Sequence, residues 1–274
     1  MIPAAFDYVR VGSVDEAVAT LAEHGEEAKL LAGGHSLLPL MKLRLATPAL
    51  LVDVGRLRDL SYVREDDGQL LIGALTRHHE LATSPVALAG APVLAHVAGQ
   101  IGDPQVRHRG TVGGSLAHGD PASDLPATLL ALGGTVVAQG PRGRREIDLA
   151  EFHRGFFEVA LDPDEMLVEV RVPRSPAGQW AFEKLTKRAQ DWAIVGAAVA
   201  RTPSGVGVGL INMGPVPIRA HAVEAALAAG ASAAEAAERA DEGTEPPSDL
   251  NGSATYRRHV ARVLVRRALE KAGV

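Results

Sequence analysis

The sequence predicts an α+β fold made of more than one compact unit. Its 274 residues are enough for two or three units, and a composition of 46% hydrophobic and 22% charged residues can fill their cores. Runs of strand-like segments are followed by runs of helical segments, an order that favours α+β over a doubly wound sheet. The chain also lacks the G-x-G-x-x-G fingerprint that accompanies the doubly wound dinucleotide-binding fold.

The first unit should span roughly 55 residues and alternate helices with strands. The residues from Ser13 to Glu16 have the S-x-x-E pattern of a capping box, and Gly25 supplies a stop for the helix that this box opens. We then predict a strand at 29–32, a short helix at 37–43 with Pro39 in its first turn, and a strand at 50–54.

A second unit should follow, beginning with a strand and ending with a hairpin and one more strand. The predicted elements are a strand at 69–74, helices at 76–82 and 92–106, a glycine-rich loop at 110–114, a helix at 126–132, a hairpin of 135–139 with 144–148, and a strand at 166–172. The turn Gly140-Pro141-Arg142-Gly143 is what predicts the hairpin.

The segment Arg174–Gly178 is the best candidate for a linker, because it is short and polar and contains proline and glycine. Beyond it the patterns predict strands and helices in a C-terminal unit, with a mobile surface loop around Pro246-Pro247. These are strands at 180–185, 194–200 and 206–211, helices at 220–229 and 254–272, and the loop at 242–248.

Charge and composition exclude several classes of protein. The net charge of −5 and the pI of 6.1 argue against a general nucleic-acid binder, which would carry a basic field. The chain has no apolar run of about 18 residues, so no membrane span is predicted. The absence of cysteine excludes disulfides, cysteine-ligated iron–sulfur clusters and a cysteinyl-flavin link in this chain. The first residues have no signal-peptide pattern, so we expect a cytoplasmic location.

A glycine pair follows the predicted strand at 29–32, in the segment AGGHSLLPLMKLR from Ala32 to Arg44. Glycines allow positive φ angles and a close approach of the backbone to a ligand. Successive amides in such a turn suit an anion, and a hydroxyl and a helix start add donors. The chemistry implied is the binding of a pyrophosphate.

A second glycine pair repeats this arrangement in the segment TVGGSLAHGDPASDLP, from Thr111 to Pro126. It adds Asp124, whose carboxylate could accept hydrogen bonds from a ribose or an adenine amine, whereas Gly119-Asp120-Pro121 is typical of a turn. Neither segment is a P-loop, because no Gly-Lys-Ser/Thr follows. Each alone is more typical of an ordinary turn, while the two together could hold one diphosphate.

Both segments resemble the FAD-binding medium subunit of the aerobic carbon monoxide dehydrogenase and xanthine dehydrogenase family. The matching stretches, in the same order and at similar separations, are Ala32–Leu37 with Pro39 and Arg44, then Ile101–Asp103, Gln105–Arg107, Arg109–Leu116 and Asp120-Pro121, and finally Arg188–Ala193. The resemblance covers nearly the whole chain. Some relatives insert a cysteine-ligated iron–sulfur loop, and the lack of cysteine excludes that variant here.

The resemblance implies the two-subdomain FAD-binding fold of the vanillyl-alcohol oxidase (PCMH) type over residues 1–175, with subdomains of about 1–55 and 56–175. A C-terminal α+β domain with a small antiparallel sheet would cover 176–274. FAD would bind non-covalently, with the glycine segments on its pyrophosphate, Asp124 on its adenosine side, and Leu167 and Lys184 near the flavin. The implied cofactor-binding residues are Leu31, Ala32, Gly33, Gly34, His35, Ser36, Leu37, Gly102, Thr111, Val112, Gly113, Gly114, Ser115, Asp124, Leu167, Lys184 and Trp192.

The resemblance also implies the role of an electron-transfer subunit in which no side chain is catalytic. A large partner would carry the molybdenum cofactor and a small partner two [2Fe–2S] clusters, in a dimer of heterotrimers. FAD would collect electrons from the clusters and pass them to an external acceptor. Two alternatives stay open: a stand-alone FAD-dependent oxidoreductase acting on a small organic substrate, and a non-enzymatic nucleotide-binding module.

Three further groups of residues have more than one interpretation. His78-His79-Glu80 could suggest a metal, but adjacent histidines on a helix diverge, so we expect a solvated helix face. Trp192 could lie near the isoalloxazine or at a partner interface, or be a half-buried core aromatic. The basic face of the C-terminal helix could bind an acidic partner or be solvated.

Overall fold

The computed structural model describes residues 2–175 and 178–274. Within these ranges the strands are β1 (Asp7–Arg10), β2 (Ala28–Leu31), β3 (Leu50–Asp53), β4 (Val63–Asp66), β5 (Gln69–Gly73), β6 (Thr135–Gly140), β7 (Gly143–Asp148), β8 (His153–Gly155), β9 (Glu158–Val159), β10 (Met166–Pro173), β11 (Trp180–Leu185), β12 (Val195–Thr202), β13 (Gly205–Ile211) and β14 (Ile218–Arg219).

The α-helices lie mostly between these strands and on the faces of the sheets. They are α1 (Val14–His24), α2 (Leu37–Lys42), α3 (His78–Thr83), α4 (Pro85–Gly90), α5 (Pro92–Gln100), α6 (Pro104–Arg107), α7 (Val112–His118), α8 (Asp124–Ala131), α9 (Leu149–Phe152), α10 (His221–Ala228), α11 (Ala233–Ala237) and α12 (Ala254–Ala272). In this part of the chain no helix is both long and apolar enough to cross a membrane.

The N-terminal unit is a small parallel sheet with strand order β1-β3-β2 and helical crossovers. Ser13 caps α1 by accepting a hydrogen bond from the Glu16 amide (3.1 Å), and Gly25, at φ 55°, ends the helix as predicted. The capping box is incomplete, because the Glu16 carboxylate accepts from the Gly12 amide (2.7 Å) instead of from Ser13.

The second unit is a five-stranded antiparallel sheet with strand order β4-β5-β10-β6-β7. Helices α3 to α8 connect β5 to β6, and all of them except α6 contribute to one apolar core with this sheet. The predicted hairpin around 140–143 is present as β6 and β7. The single helix predicted at 92–106 is wrong: it is divided into α5 and α6, because Gly102 has φ +49° and Pro104 starts the second helix.

The C-terminal unit is a four-stranded antiparallel sheet with order β11-β12-β13-β14, and α12 packs on β11 and β12. Helix α8 packs closely on the other side: a Cβ atom on Gly207 or Gly209 would overlap the carbonyl oxygens of Ala131 and Ala127. This contact joins the C-terminal sheet to the preceding unit, because α8 also belongs to the core of that unit.

The predicted linker at 174–178 and the predicted surface loop at 242–248 are each only partly as expected. Pro176 and Ala177 of the predicted linker lie outside the described residues, and Ser175 just before them is buried, with its amide donating to the Gly90 carbonyl (2.9 Å). The segment 242–248 has neither helix nor strand, as predicted, but Thr244 and Pro246 in it are buried. Its mobility stays a prediction.

Candidate functional site

The two glycine segments meet in the folded chain. A Cβ atom on Gly33 would overlap the carbonyl oxygen of Arg109 and lie 2.9 Å from its carbonyl carbon and 3.0 Å from the Gly110 Cα atom. Only a residue without a side chain allows two backbones to approach this closely. The convergence on which the pyrophosphate hypothesis depends is therefore present.

The first segment leaves β2 and turns into α2. Gly34 makes this turn in the left-handed region (φ 78°), and its carbonyl accepts a hydrogen bond from the Leu38 amide (3.0 Å). Ser36 occupies the cap position of α2 but makes no side-chain capping bond. Its hydroxyl is thus not used by the helix that it precedes.

The second segment is not the loop that the sequence predicted, because Gly113 and Gly114 lie in the first turn of α7. Thr111 caps this helix by accepting a hydrogen bond from the Gly114 amide (3.1 Å). A Cβ atom on Gly113 would lie 2.6 Å from that of Ala74, on the loop after β5. Both Gly33 and Gly113 are thus required for packing within the protein itself.

A cavity of about 1110 Å³ opens beside this contact and extends to β10 and to the C-terminal unit. Every predicted cofactor-binding residue lines it except Val112, which is fully buried in the hydrophobic core. The helical geometry explains this exception: Val112 and Gly113 are consecutive in α7, so their side-chain positions point in different directions. The size exceeds that of most small-ligand pockets and suits a long ligand.

Asp124 and Lys184 form a buried ion pair inside this cavity. The Lys184 ammonium donates to Asp124 Oδ2 (2.7 Å), and the two side chains are only 9% and 5% exposed. Burial raises the pKa of the Asp124 carboxyl, against the opposing effect of Lys184. The expectation that Asp124 lies on the adenosine side of FAD and Lys184 near the flavin is wrong for at least one of them, because two groups in direct contact cannot occupy separate ends of the cofactor.

The second oxygen of Asp124, Oδ1, is buried and accepts no hydrogen bond from any residue that the structure describes. A buried carboxylate oxygen without a partner carries a large desolvation cost. The residue Asp124 itself lines the cavity, whose size suits a dinucleotide.

His78 contradicts the expectation of a solvated helix face. It is 4% exposed and lines the cavity, and its imidazole lies against Gly110, where a Cβ would be 2.7 Å from its Cδ2 atom. Burial lowers the pKa of His78 to about 4, with smaller contributions from the charges of Arg77 and His35. The ring is therefore neutral at neutral pH. His79 lies elsewhere, stacked on His108 at 4.1 Å between ring centres.

Positive charge surrounds the junction of the glycine segments. The Arg77 guanidinium donates to the carbonyl oxygen of Arg109, the same residue that contacts Gly33. Burial and the neighbouring Arg109 charge lower the pKa of Arg77, which nevertheless stays protonated because guanidinium groups deprotonate only in strong base. The charges and the α7 N-terminus together create a potential that favours an anion.

Trp192 lies at the rim of the cavity and is 60% exposed, so its interpretation as a half-buried core aromatic is wrong. It belongs to the connection between β11 and β12, together with Gln190 and Asp191. Asp120 is part of a turn, as predicted, and its carboxylate accepts from the Ala122 amide (2.8 Å).

The basic face of α12 is largely neutralised by the chain itself, which weakens its interpretation as a docking surface. Its pairs are Arg257 with Asp249, Arg262 with Asp241, Arg266 with Glu270 and Lys271 with Glu183.

Sequence reasoning missed several cavity residues, because nothing local marks them. Among them Phe157 has positive φ (58°), and its ring contacts that of His118 at 4.8 Å between centres. The cavity-lining residues that were not predicted include Ala74, Leu75, His78, Ile101, Val106, Ala117, His118, Phe157, Leu161, Asp162, Pro163 and Gln190.

The geometry defines a class of protein: an α+β dinucleotide-binding protein whose cavity lies between two glycine turns and a C-terminal sheet. Residues 4–175 match the family described as the FAD binding domain in molybdopterin dehydrogenase. Residues 180–272 match the CO dehydrogenase flavoprotein C-terminal domain. The chain therefore belongs to the family of FAD-binding proteins of molybdopterin dehydrogenases.

Several known proteins are similar to this chain over nearly its full length. The carbon monoxide dehydrogenase medium chain of Hydrogenophaga pseudoflava is 42% identical and covers 99% of this chain and 98% of its own length. A 6-hydroxypseudooxynicotine dehydrogenase complex subunit alpha of Paenarthrobacter nicotinovorans is 41% identical over 99% and 96%. A solved carbon monoxide dehydrogenase structure from H. pseudoflava has a TM-score of 0.96 at 44% identity, covering 100% and 99%.

These findings confirm the predicted family, the two-subdomain FAD-binding fold with its C-terminal α+β part, and FAD as the cofactor. They also confirm the predicted class of enzyme, the flavoprotein subunit of a molybdenum-containing dehydrogenase.

Proposed function

We propose that this chain holds FAD in the cavity between its glycine segments and transfers electrons within a molybdenum hydroxylase complex. The observation that carries the proposal is the backbone contact of Gly33 with Arg109 and Gly110, beside a cavity of about 1110 Å³. Bound FAD supplies a redox centre that exchanges electrons singly or in pairs. The chain's own residues bind it, orient it and set its electrostatic surroundings.

The residues present fit such a group. The Gly33–Ser36 turn brings its backbone amides next to the start of α7 and to the charges of Arg77 and Arg109. The first amides of α7, those of Val112, Gly113 and Gly114, donate within the protein, so the turn supplies the free donors. Donors of this kind favour a diphosphate. We assign the pyrophosphate to this junction, with His35 contributing its backbone rather than a covalent link.

The Asp124–Lys184 pair supplies two further functional groups. The Asp124 carboxylate would accept a hydrogen bond from the cofactor, and the Lys184 ammonium would offer positive charge close to the same point. Since the two groups are in contact, we assign them to one end of the ligand. Leu167 and Trp192 line the same cavity and offer apolar surface for a ring system.

The subunit role is favoured over the stand-alone oxidoreductase by the full-length similarity to a medium chain and to a subunit of a dehydrogenase complex. We propose that electrons come from [2Fe–2S] clusters of a small partner subunit and go to an external acceptor. A large partner would hold the molybdenum cofactor and determine the substrate. We further propose a dimer of heterotrimers in the cytoplasm, with a FAD-binding domain at 1–175 and a C-terminal domain at 176–274.

The test is flavin binding by the purified full-length chain, followed by co-expression with a molybdenum subunit and an iron–sulfur subunit. We expect one FAD per chain after gel filtration, a complex containing all three subunits, and loss of oxidised-flavin absorbance when the complex meets its substrate. A colourless chain after incubation with FAD would refute cofactor binding. A yellow chain that forms no complex would refute the subunit role alone.

Two variants test the role of Asp124 in FAD binding. Asp124→Asn should weaken FAD binding by about 1–3 kcal/mol, since a charge-assisted hydrogen bond would be lost. Asp241→Asn is the matched control, because Asp241 also pairs with a basic side chain, that of Arg262, but lies outside the cavity. Equal FAD affinity for both variants would contradict the role assigned to Asp124.

A further inference from the structure

We infer that Asn212 is a positioning residue that fixes the Trp192-bearing wall of the cavity against the segment that carries Asp124. Asn212 forms no hydrogen bond with the side chain of Trp192 or Asp124 and lies outside the set of cavity-lining residues. The link of this wall to FAD rests on the proposed function, whereas the positioning itself does not.

The backbone of Asn212 joins two parts of the chain that are distant in sequence. Asn212 follows β13 directly and has φ +60°, the left-handed region that asparagine tolerates better than most residues. In this conformation its amide donates to the carbonyl of Pro121 (2.9 Å). Pro121 lies three residues before Asp124, so the bond ties the end of β13 to the segment that leads into α8.

The side chain of Asn212 reaches in a second direction. Its Nδ2 atom donates to the carbonyls of Ala193 (2.8 Å) and Ile194 (3.3 Å), the two residues after Trp192. In the β12–β13 ladder Gly196 pairs with Ile211, so Asn212 stands one step past the last pair, opposite the start of β12. Its amide satisfies carbonyls there that the ladder does not reach.

A second donor, from a fully buried side chain, converges on the same point. The Arg257 side chain is 0% exposed, and its Nη1 atom also donates to the Ile194 carbonyl, while Nη2 pairs with Asp249 (2.7 Å). Trp192, in contrast, is largely exposed. The connection between β11 and β12 is thus held at its base by the partly buried Asn212 and the fully buried Arg257, and its cavity-facing part depends on that base for its position.

The residue type at 212 is constrained by both roles. Glycine would keep the left-handed backbone but remove the two donors, and aspartate would place carboxylate oxygens against two carbonyl oxygens. Alanine would remove the two donors and would also disfavour the left-handed backbone conformation. Asn212→Gly and Asn212→Asp therefore separate the amide from the backbone conformation.

The experiment uses Trp192 as its own reporter in the full-length chain. The chain has two tryptophans, and Trp180→Phe leaves Trp192 as the single emitter. In this background, without FAD, we expect Asn212→Gly and Asn212→Asp to at least double the acrylamide quenching constant of Trp192 and to lower its fluorescence anisotropy. Titration with FAD should then show affinity weakened about tenfold.

The matched control is Thr202→Val at the opposite end of β12, which removes a buried hydroxyl that donates to the Gly205 carbonyl (3.1 Å). It should lower thermal stability comparably, yet leave the Trp192 signal and FAD affinity unchanged. An Asn212→Gly chain that loses stability but keeps the parent's Trp192 quenching and anisotropy would overturn the inference.

A second measurement avoids the Trp180→Phe background. In the chain labelled with 5-fluorotryptophan, the Trp192 ¹⁹F resonance, assigned through Trp192→Phe, should shift or broaden on Asn212→Gly. An unchanged resonance would count against the positioning role. If the parent chain itself bound no FAD, the proposed function would fail, while the Trp192 signals without FAD would still decide the inference.

Discussion

Single residues explain why the cavity exists, and the glycines do so through contacts within the protein. Gly33 is needed because its α-carbon faces the carbonyl of Arg109, and Gly113 because it faces Ala74. A side chain at either position would separate the segments before any ligand is bound. The hypothesis that these glycines mainly leave room for a diphosphate is therefore replaced by a packing requirement.

Gly33→Ala should abolish FAD retention and destabilise the chain even without FAD, because the new methyl group would overlap backbone atoms that cannot move away easily. The loss should be about 2 kcal/mol or more in urea unfolding of the apo-protein. Gly99→Ala is the control: it lies in α5 with its nearest neighbour at 3.9 Å, so it should be neutral or slightly stabilising. Full stability of apo-Gly33→Ala would contradict the packing requirement.

His78 links burial to acid stability. Its pKa is lowered to about 4 in the folded chain, from the ordinary value of 6.5, so between these values the unfolded chain binds more protons. The contribution of neutral His78 to the free energy of unfolding is therefore fully present above about pH 6.5 and is lost as the pH falls toward 4. The contribution of this one residue is on the order of 3 kcal/mol.

His78→Gln should remove that part of the pH dependence. We expect the stability difference between wild type and variant to change by about 3 kcal/mol in favour of the variant between pH 7 and pH 4, measured by urea unfolding of the apo-protein. His153, whose pKa burial also lowers to about 4, should maintain part of the acid sensitivity in both. A pH-independent difference would show that His78 does not titrate with the fold.

Among the elements, α7 starts at the cavity, with Thr111, Gly113 and Gly114 in its lining. Its cap is Thr111, and the same residue forms a β-bridge with Arg77, so the start of the helix is fixed to the neighbouring segment as well. Stable capping keeps the first-turn amides in place. Helix α12 has a similar cap, Ser253, at an end of the chain that the cavity does not reach.

Thr111→Ala should cost about 1 kcal/mol of stability and should also weaken FAD binding, whereas Thr111→Ser should restore most of both. Ser253→Ala should cause a similar loss of stability with unchanged FAD affinity. Thermal unfolding and flavin titration of the three variants separate the two effects. If Ser253→Ala weakened FAD binding as much as Thr111→Ala, general destabilisation would be the explanation.

In the molecule as a whole, α8 connects the parts that form the cavity. Its first residue is Asp124, its body belongs to the core of the preceding unit, and its later carbonyls lie against Gly207 and Gly209 of β13. The ion pair from Asp124 to Lys184 spans the same boundary. Cavity geometry and the contact between these parts are therefore coupled.

Gly209→Ala should separate the two parts, because its methyl group would overlap the Ala127 carbonyl oxygen and lie 2.8 Å from the carbonyl carbon. We expect two thermal transitions in place of one, faster proteolysis near residues 174–178 and loss of FAD. Gly12→Ala, with its nearest neighbour at 3.6 Å, should preserve a single transition. A single transition and normal proteolysis in Gly209→Ala would refute the coupling.

The sequence by itself was sufficient to predict the fold class and several elements from short local signals, and the family and the cofactor from its resemblance to known proteins. The glycine segments at 33–34 and 113–114, the hairpin at 140–143 and the start of α1 at Ser13 can each be recognised from a few neighbouring residues. The tertiary structure alone decided the Asp124–Lys184 pair, the burial of His78 and the contacts of Asn212. Each depends on residues far apart in the chain, whose proximity is set by packing and not by any local preference.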